Sequence, residues 1–329
     1  MSNLSIALVG CGNFPFNTLY PMLRNLPITL RGVCDTDPAK LDRFARFFNA
    51  GNRYADYREM ITTEKPDAVI CVVNADIHYE TAKFCLSRGI PVFVEKTPCQ
   101  TAAQAEELSA LQQGAYMAVG FNRRFVTAYM MTKEIIHRPE FGAISMYYSK
   151  FNASPYASTD YFVFNHIIHH LDLARYLLGE ITDVQVQSRL RNDRSGAFAV
   201  HFAARESGAI GTIQAASMLE EAYPMERLDI AGTGGNVVAD NLRDLRYNRT
   251  APARDIDFAR TLDNAGDCLS WNLSAGYGIV RGIFSYLGLE AELEDFIAAA
   301  RTGSKPSCTI DLCVGTMRAM EKIRQIFSR

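Results

Sequence analysis

A glycine-rich turn near the start of the chain has the residue types that hold a phosphate group. Residues 10–15 read G-C-G-N-F-P and follow a short apolar segment. Gly10 permits a sharp turn, Gly12 lets the backbone approach a pyrophosphate, and the N–H groups of a following helix would attract its charge. Pro15 replaces the third glycine of the usual motif, although a proline in the first helical turn removes no needed donor. The predicted dinucleotide contacts are Gly10, Gly12, Asn13 and Phe14.

An acidic residue stands about 20 positions beyond this turn, where dinucleotide-binding folds hold the adenosine ribose. Asp35 closes the second apolar segment, and its carboxylate can accept both ribose hydroxyls of NAD. The same charge, with Asp37 close by, would repel the 2′-phosphate of NADP. The nearest basic residue that follows is Lys40. We therefore predict NAD as the cofactor, with NADP less favoured.

The elements that position these residues alternate in type up to residue 120. Apolar strands are predicted near 5–9, 30–34, 67–73, 91–94 and 116–120, and helices up to about residue 25 and over 38–48, 78–88 and 102–113. Such alternation builds a doubly wound parallel sheet that binds ligands at the carboxyl ends of its strands. The sequence thus predicts an α/β Rossmann domain over residues 1–121 that binds the dinucleotide.

After residue 122, strands follow one another with few helices between them. Strands are predicted near 143–151, 183–191, 196–205, 208–217 and 226–240, and helices near 126–137, 164–179, 288–301 and 311–327. Consecutive hairpins predict an open, mostly antiparallel sheet, hence an α+β domain over 122–329 for substrate binding and oligomerisation. The uncovered face of this sheet predicts a homodimer or homotetramer that forms through it. The irregular stretch 250–280 is predicted to be a loop near the site or at a subunit contact.

Composition narrows the class of protein further. The chain has 329 residues, a net charge of −2 and 48% hydrophobic residues, without the basic character that nucleic-acid binding needs. It shows no leader-like start and no apolar run of about 18 residues. Its eight cysteines are scattered without a C-x-x-C pair. We expect a cytoplasmic protein with reduced thiols whose partner is a small polar substrate rather than nucleic acid or a membrane.

Four further segments, taken with the glycine turn, carry a resemblance to a known family. They read D-A-V-I-C-V-V-N-A-D-I-H at 67–78, V-E-K-T-P at 94–98, G-F-N-R-R-F at 120–125 and H-H-L-D-L-A-R-Y-L-L-G at 169–179. In this order they resemble the Gfo/Idh/MocA oxidoreductases over nearly the whole chain. The resemblance implies a nicotinamide enzyme that transfers a hydride between its cofactor and a carbinol or carbonyl carbon of a sugar, cyclitol or similar compound.

The resemblance also implies residue roles near the cofactor. The family's E-K-P lysine falls on Lys96, which would hydrogen-bond the reacting hydroxyl and act as an acid or base. Glu95, Asn74 and His78 would line the cofactor together with Lys96. The chain departs from the family in two places, because Thr97 replaces the proline after the lysine and the usual T-P-N before the family histidine is not kept.

The predicted helix over 164–179 carries the other catalytic candidates. At about 100° per residue, Asn165, His169 and Asp172 share one face. His169 matches the family's histidine, while Asn165 stands where an aspartate is common. Because asparagine cannot accept a proton, it would instead orient the substrate hydroxyl or the imidazole. The three histidines of this helix lack the glutamate of a zinc-binding helix, so no metal is predicted.

The predicted substrate contacts are Arg124, Tyr156, Tyr161 and Asp172. Tyr156 and Tyr161 precede the helix in an aromatic stretch suited to a substrate loop, and Asp172 has the alternative of only holding the helix in place. Tyr147, Asn152 and Trp271 are further polar candidates. For each aromatic residue taken singly, a place in the core or at an interface is the stronger interpretation.

Two other functions stay open at this point. A non-catalytic NAD-binding sensor on the same fold is conceivable because Asn165 replaces the aspartate, although retention of Lys96 and His169 argues against it. An NAD-dependent glycoside hydrolase would use the cofactor transiently and release a free sugar. The alternatives differ from a dehydrogenase in producing no net reduction of NAD.

Overall fold

The computed structural model describes residues 3–220, 224–249, 268–273 and 287–327. Contacts divide the chain into two compact units, and the C-terminal part of the chain is shared between them. The first unit is Met1–Asn122 with Leu289–Arg318, and the second is Arg123–Gly288 with Ala319–Arg329. The sequence pattern predicts one domain over 122–329, whereas the contacts group Leu289–Arg318 with the first unit.

The first unit contains a six-stranded parallel sheet with helices between the strands. In chain order its elements are β1 (Leu4–Val9), β2 (Ile28–Cys34), α1 (Pro38–Phe48), β3 (Asn52–Tyr54), α2 (Tyr57–Glu64), β4 (Ala68–Cys71), α3 (Ala75–Leu86), β5 (Val92–Glu95), α4 (Ala102–Ala110) and β6 (Met117–Gly120). The strands lie in the order β3-β2-β1-β4-β5-β6. β1, β4, β5 and β6 are buried along their whole length, as expected of apolar strands covered on both faces. The predicted Rossmann fold is confirmed.

The strand order of this sheet determines where a ligand can bind. The chain leaves β1 toward β2 and leaves β4 toward β5, so a crevice opens beyond the carboxyl ends of the neighbouring strands β1 and β4. The segments that follow β1, β2, β4 and β5 lie along this same edge. We name it the carboxyl edge and define it by residues 10–15, 35–37, 72–78 and 96–98.

The helical boundaries in this unit follow local capping chemistry. Asp37 caps α1 by accepting the N–H groups of Ala39 and Lys40, and Pro38 is the first helical residue, as predicted. The segment after the glycine turn is helical as predicted, but it forms a π-helix over Pro15–Leu19 and then a 3-10 helix. β3 and α2 were not predicted, because β3 has only three residues and shows no apolar period.

The second unit is built on an eight-stranded sheet. Its elements are α5 (Thr127–Ile136), β7 (Ile144–Asn152), α6 (Thr159–Phe162), α7 (Ile168–Leu178), β8 (Ile181–Leu190), β9 (Gly196–Ala204), β10 (Ile210–Ala216), β11 (Met225–Gly232), β12 (Gly235–Asp240), β13 (Asp244–Arg249) and β14 (Cys268–Asn272). The strand order is β14-β13-β12-β11-β7-β10-β9-β8, with only the β7–β10 pair parallel. The predicted open, mostly antiparallel sheet is confirmed. Of the loop expected over 250–280, residues 268–273 include β14, and the rest lies outside the described residues.

The two faces of this sheet differ in what covers them. Tyr147 and Phe151 of β7 point to the inner face, where Phe151 stacks on Phe162 of α6. α7 packs on β7, β8 and β10 on this face. Residues at the alternate positions, such as Tyr148 and Thr212, form the outer face, and no described helix packs there.

The helical segment on the inner face is not uniform. It begins at α6, which Ser158 caps, continues through a π-helical turn over Val163–Ile167, and becomes α7 until Gly179. The predicted shared face of Asn165, His169 and Asp172 assumed the α-helical angle throughout, and the wider π turn changes that angle. Residues 167–174 are all buried, so α7 is enclosed around its circumference.

Two helices close the described part of the chain. α8 (Leu289–Thr302) and α9 (Ile310–Phe327) match the predicted helices near 288–301 and 311–327. Within the first unit, Phe296 of α8 packs on Phe93 of β5, with ring centroids 5.8 Å apart. Among the described helices, none combines the length and the apolar character that crossing a bilayer requires.

Candidate active site

Gly10 is required by the fold at the carboxyl edge. Its φ is +100°, and a Cβ placed there would lie 2.2 Å from the carbonyl oxygen of Val72 and 2.8 Å from Cγ1 of Val73. The turn after β1 thus touches the end of β4 at the crevice. Only a glycine combines this backbone conformation with so close an approach.

Gly12 has a different environment. A Cβ at this position would meet only the Pro15 ring, at 3.8 Å, which is ordinary contact. The following helix has no side-chain cap at its N-terminus. The glycine turn is therefore open toward solvent. Pro15 has no N–H and the N–H of Phe16 donates to the Gly12 carbonyl at 3.1 Å, so the N–H groups that an anion could use are those of the turn at residues 12–14. These features fit a pyrophosphate at the position that the sequence predicted.

Asp35 is held in place by the glycine turn itself. Its Oδ2 accepts the N–H of Cys11 at 2.7 Å, and its Oδ1 accepts the N–H of Asp37 at 2.8 Å. The carboxylate is half-exposed, and each oxygen retains acceptor capacity. A fixed acidic group at the end of β2 has the chemistry to accept ribose hydroxyls.

Three large apolar side chains are exposed along the same edge. Phe14 is 45% exposed, Val73 36% and Ile77 37%. They come from the turn after β1 and from the start of α3. A planar ligand that lay in the crevice would remove this apolar surface from water. Asn13 is also exposed here, and its Oδ1 accepts a hydrogen bond from Arg43 at 3.3 Å.

His78 has both ring nitrogens engaged inside the protein. Its Nε2 accepts the N–H of Val73 at 3.0 Å, and its Nδ1 lies 2.9 Å from the carbonyl oxygen of Thr97, to which it donates in this tautomer. Burial lowers the pKa of His78 to about 4, so the ring is neutral at physiological pH. His78 thus links the segment after β4 to the Lys96–Thr97 segment, and its contact with the cofactor stays a prediction.

The predicted lysine follows β5 at the carboxyl edge. Lys96 is half-buried, and its backbone N–H donates to the Glu95 carboxylate at 3.1 Å. Glu95 itself is buried opposite Gly120, where a Cβ would approach the Glu95 carboxyl carbon to 3.1 Å. Asn74 caps α3 by accepting the N–H of Ile77 at 3.1 Å and is exposed at the crevice. Lys96 and Asn74 therefore remain accessible, whereas Glu95 is enclosed.

In the second unit, two predicted substrate contacts bind each other. Arg124 donates to both carboxylate oxygens of Asp172, with Nε–Oδ2 and Nη2–Oδ1 distances of 2.7 and 2.6 Å. Both side chains are buried. This bidentate pair ties the start of the unit to α7. The pair fits the structural alternative that the sequence leaves open for Asp172, and a substrate contact of Arg124 or Asp172 stays a prediction.

The predicted catalytic histidine and its neighbours lie at the junction of the π turn and α7. His169 is buried in the first turn of α7. Asn165 lies in the π turn, where its Nδ2 donates to the carbonyl oxygen of Tyr161 at 3.1 Å and its Oδ1 remains an acceptor. Tyr161 is 46% exposed. Tyr156 stacks on His166 with ring centroids 3.9 Å apart, and burial raises the pKa of Tyr156.

A buried polar cluster in the second unit was not predicted. Glu226 of β11 bonds the guanidinium of Arg123, lies 3.4 Å from the hydroxyl of Tyr129 and lies 3.8 Å from Nε2 of His170. Burial raises the pKa of Glu226, but Arg123 and His170 lower it by more, so the net direction is down. Burial lowers the pKa of His170 to about 4. Glu226 occupies an inward position of an alternating strand, and this pattern was the available signal.

The remaining candidates have structural surroundings. Tyr147 is buried on the inner face, Asn152 ends β7, and Trp271 lies in β14. Among the described residues, no group of three or more histidine, cysteine, aspartate or glutamate side chains is placed to hold a metal ion.

Comparison with known proteins identifies both parts of the chain. Residues 4–121 match the oxidoreductase family model with an NAD-binding Rossmann fold, and residues 129–238 match the Gfo/Idh/MocA C-terminal domain. This chain belongs to the Gfo/Idh/MocA family. The family resemblance inferred from the motifs is confirmed, and the first unit of this Gfo/Idh/MocA protein contains the NAD-binding domain of an oxidoreductase.

Relatives of this Gfo/Idh/MocA protein are dehydrogenases. A scyllo-inositol 2-dehydrogenase (NAD(+)) of Bacillus subtilis is 28% identical over 255 residues, covering 72% of this chain and 74% of the relative. A D-apiose dehydrogenase of Rhizobium rhizogenes is 23% identical over 253 residues, covering 72% of this chain and 73% of the relative. A dehydrogenase of Chromobacterium violaceum shares the fold, with a TM-score of 0.84, 23% identity and coverage of 99% of this chain and 96% of that structure.

Proposed function

We propose that this protein is an NAD-dependent dehydrogenase that acts on the CH–OH group of a sugar, a cyclitol or a similar small polar compound. The observation that carries the proposal is the carboxyl edge, where an open glycine turn, a fixed aspartate and the family's lysine follow neighbouring strands. Relatives named for scyllo-inositol and D-apiose support the substrate class. No observation favours the sensor or the glycoside hydrolase.

The cofactor would lie along the carboxyl edge. The turn at Gly12 and the uncapped helix start would hold the pyrophosphate, and Asp35 would accept the ribose hydroxyls. Asn74 would contact the nicotinamide end, beside the exposed side chains of Val73 and Ile77. The cofactor supplies hydride chemistry, while the protein supplies binding, orientation and electrostatics.

The proton on the reacting hydroxyl is assigned to two residues. Lys96, at the end of β5, would hydrogen-bond this hydroxyl and exchange its proton, and His169 would serve as the partner acid or base. Asn165 would orient the hydroxyl or the imidazole through its Oδ1. Tyr156, from the loop before α6, and Tyr161, within α6, are proposed to contact the substrate. The buried ion pair of Arg124 with Asp172 would hold α7 in position.

The outer face of the sheet is the proposed surface for self-association. Met146 and Ile210 lie side by side on β7 and β10 and are 60% and 67% exposed. Contiguous exposed apolar surface on an open sheet is typical of a protein–protein interface. We propose a homodimer or homotetramer through this face.

Turnover tests the proposal directly. The purified protein is mixed with NAD and a panel that includes scyllo-inositol, myo-inositol and D-apiose, and formation of reduced nicotinamide is followed by absorbance. We expect turnover with at least one member, and a loss of at least about 100-fold in kcat/KM for Lys96→Ala with NADH affinity retained. Lys322→Ala, an exposed lysine of α9, is the matched control. Wild-type activity in Lys96→Ala would remove the lysine from the mechanism.

A further inference from the structure

Three loops of the second unit enclose a cleft at one end of the sheet. Its volume is about 810 Å³, within the range of sites that bind small molecules. The lining residues come from the segments after β7, between β8 and β9, and after β10. They are Ser154, Pro155, Arg191, Asn192, Arg194, Ser195, Met218, Leu219 and Glu220.

Hydrogen bonds between the loops fix the shape of this cleft. The N–H of Leu219 donates to the carbonyl of Ala153 at 3.0 Å, and the N–H of Thr159 donates to the carbonyl of Asp193 at 2.8 Å. Nε of Arg194 donates to the carbonyl of Tyr156 at 3.0 Å. Each of the three loops is thus bonded to another one, which preorganises the cleft for a ligand.

The charged groups on the lining of the cleft are mainly basic, since Arg191 and Arg194 face a single acidic residue, Glu220. Within the described part of the chain, the Arg191 guanidinium makes no hydrogen bond or ion pair. The Arg194 guanidinium donates, among these residues, only to the Tyr156 carbonyl, and the backbone N–H of Arg194 donates to Oδ1 of Asn192 at 2.9 Å. Both arginine side chains are exposed, and Arg31, Arg189 and Arg205 are likewise exposed without an ion pair to any described residue, so what distinguishes Arg191 and Arg194 is that they line the same cleft. Two guanidinium groups without a carboxylate partner therefore line one concave, polar surface.

We propose that this cleft binds a small polyhydroxylated anion through its carboxylate or phosphate group. Arg191 and Arg194 would hold the oxyanion, since the guanidinium fork matches carboxylate and phosphate oxygens. Glu220 carries the one negative charge on the described lining, and with Asn192 and Ser154 it offers polar atoms for hydroxyl groups. The binding site does not depend on hydride transfer.

Direct titration of the full-length protein without nicotinamide tests this inference. Binding of D-gluconate, D-glucose 6-phosphate and neutral D-glucose is measured by calorimetry at one ionic strength. We expect at least one of the two anions to bind ten-fold or more tightly than glucose, and the comparison of gluconate with glucose 6-phosphate tells a carboxylate from a phosphate. Equal affinities for all three compounds, or binding of none, would overturn the proposal.

Arginine variants assign the binding to this cleft. Arg191→Ala and Arg194→Ala are each expected to weaken the preferred anion at least five-fold. Arg205→Ala, an exposed arginine of the β9–β10 turn, removes the same charge and should leave affinity unchanged. Arg194 also bonds the Tyr156 carbonyl, so Arg191→Ala decides the result if the other variant does not fold. Wild-type affinity in Arg191→Ala would contradict the assignment.

Discussion

The two glycines of the turn after β1 differ in what surrounds them. A Cβ at Gly10 would lie 2.2 Å from the Val72 carbonyl, whereas one at Gly12 would have no contact closer than 3.8 Å. Gly10→Ala should therefore lower the free energy of unfolding by about 3 kcal/mol or more, through overpacking and strain at positive φ. Gly12→Ala should keep its stability and lose NADH affinity, because its Cβ would occupy the space assigned to the pyrophosphate.

Urea denaturation and NADH titration of both variants separate these effects. Gly51→Ala is the control, since nothing lies within 4 Å of a Cβ there. Full NADH affinity in Gly12→Ala would show that the pyrophosphate does not approach this turn.

His78 makes a contribution to stability that depends on pH. Its pKa is about 4 in the folded protein against 6.5 for a free imidazole. Between these values the unfolded chain binds a proton that the native state does not, so stability falls as pH falls from about 6.5 to about 4. The loss is about 3 kcal/mol at most.

The difference in unfolding free energy between wild type and His78→Gln, followed across pH, isolates the contribution of His78. Unfolding free energies are measured at several pH values from neutral to acid, and the variant should lose part of the acid destabilisation. His201→Gln, at an exposed position, is the matched control for the substitution. Parallel slopes for wild type and His78→Gln would contradict a neutral buried ring.

At the scale of elements, α7 depends on the buried Arg124–Asp172 pair. Asp172→Asn leaves the Arg124 charge buried without its partner, and we expect a loss of about 3–5 kcal/mol in unfolding free energy. Asp42→Asn breaks the exposed pair with Arg53 and should cost less than about 1 kcal/mol. A substrate contact would instead leave stability unchanged and raise KM, so the two measurements discriminate the roles.

The elements that sequence predicted well are those with a strong local pattern. Buried strands such as β4 and the cap of α1 by Asp37 follow from neighbouring residues alone. The short β3 has no such pattern. The π turn before α7 has no recognisable sequence motif, so the angle between Asn165 and His169 was not predictable.

Side-chain pairing was harder to predict than residue type. The sequence singled out Arg124 and Asp172 as important, but these residues are 48 positions apart, and nothing local indicates that they bind each other. The sequence also singled out His78, as a cofactor contact, and the structure shows its ring nitrogens hydrogen-bonded to Val73 and Thr97. A motif identifies residues that matter at a site. The structure shows whether each of them is placed to contact a ligand or to position another residue that contacts the ligand.

At the scale of the whole molecule, self-association should depend on the outer face of the sheet. Light scattering is expected to give at least twice the mass of one chain. Met146→Lys with Ile210→Lys should produce a monomer, because each charge would have to be buried in the interface. Met130→Lys, at an exposed position of α5, is the control. An unchanged mass in the double variant would place the interface elsewhere.

Cofactor choice tests the central claim of the account most directly. Purified protein is titrated with NADH and, in parallel, with NADPH, and nicotinamide fluorescence is followed. We expect NADH to bind at least about ten-fold more tightly, because the fixed Asp35 carboxylate accepts ribose hydroxyls and repels a 2′-phosphate. Tighter binding of NADPH would contradict the role of Asp35, and binding of neither would contradict the dehydrogenase itself.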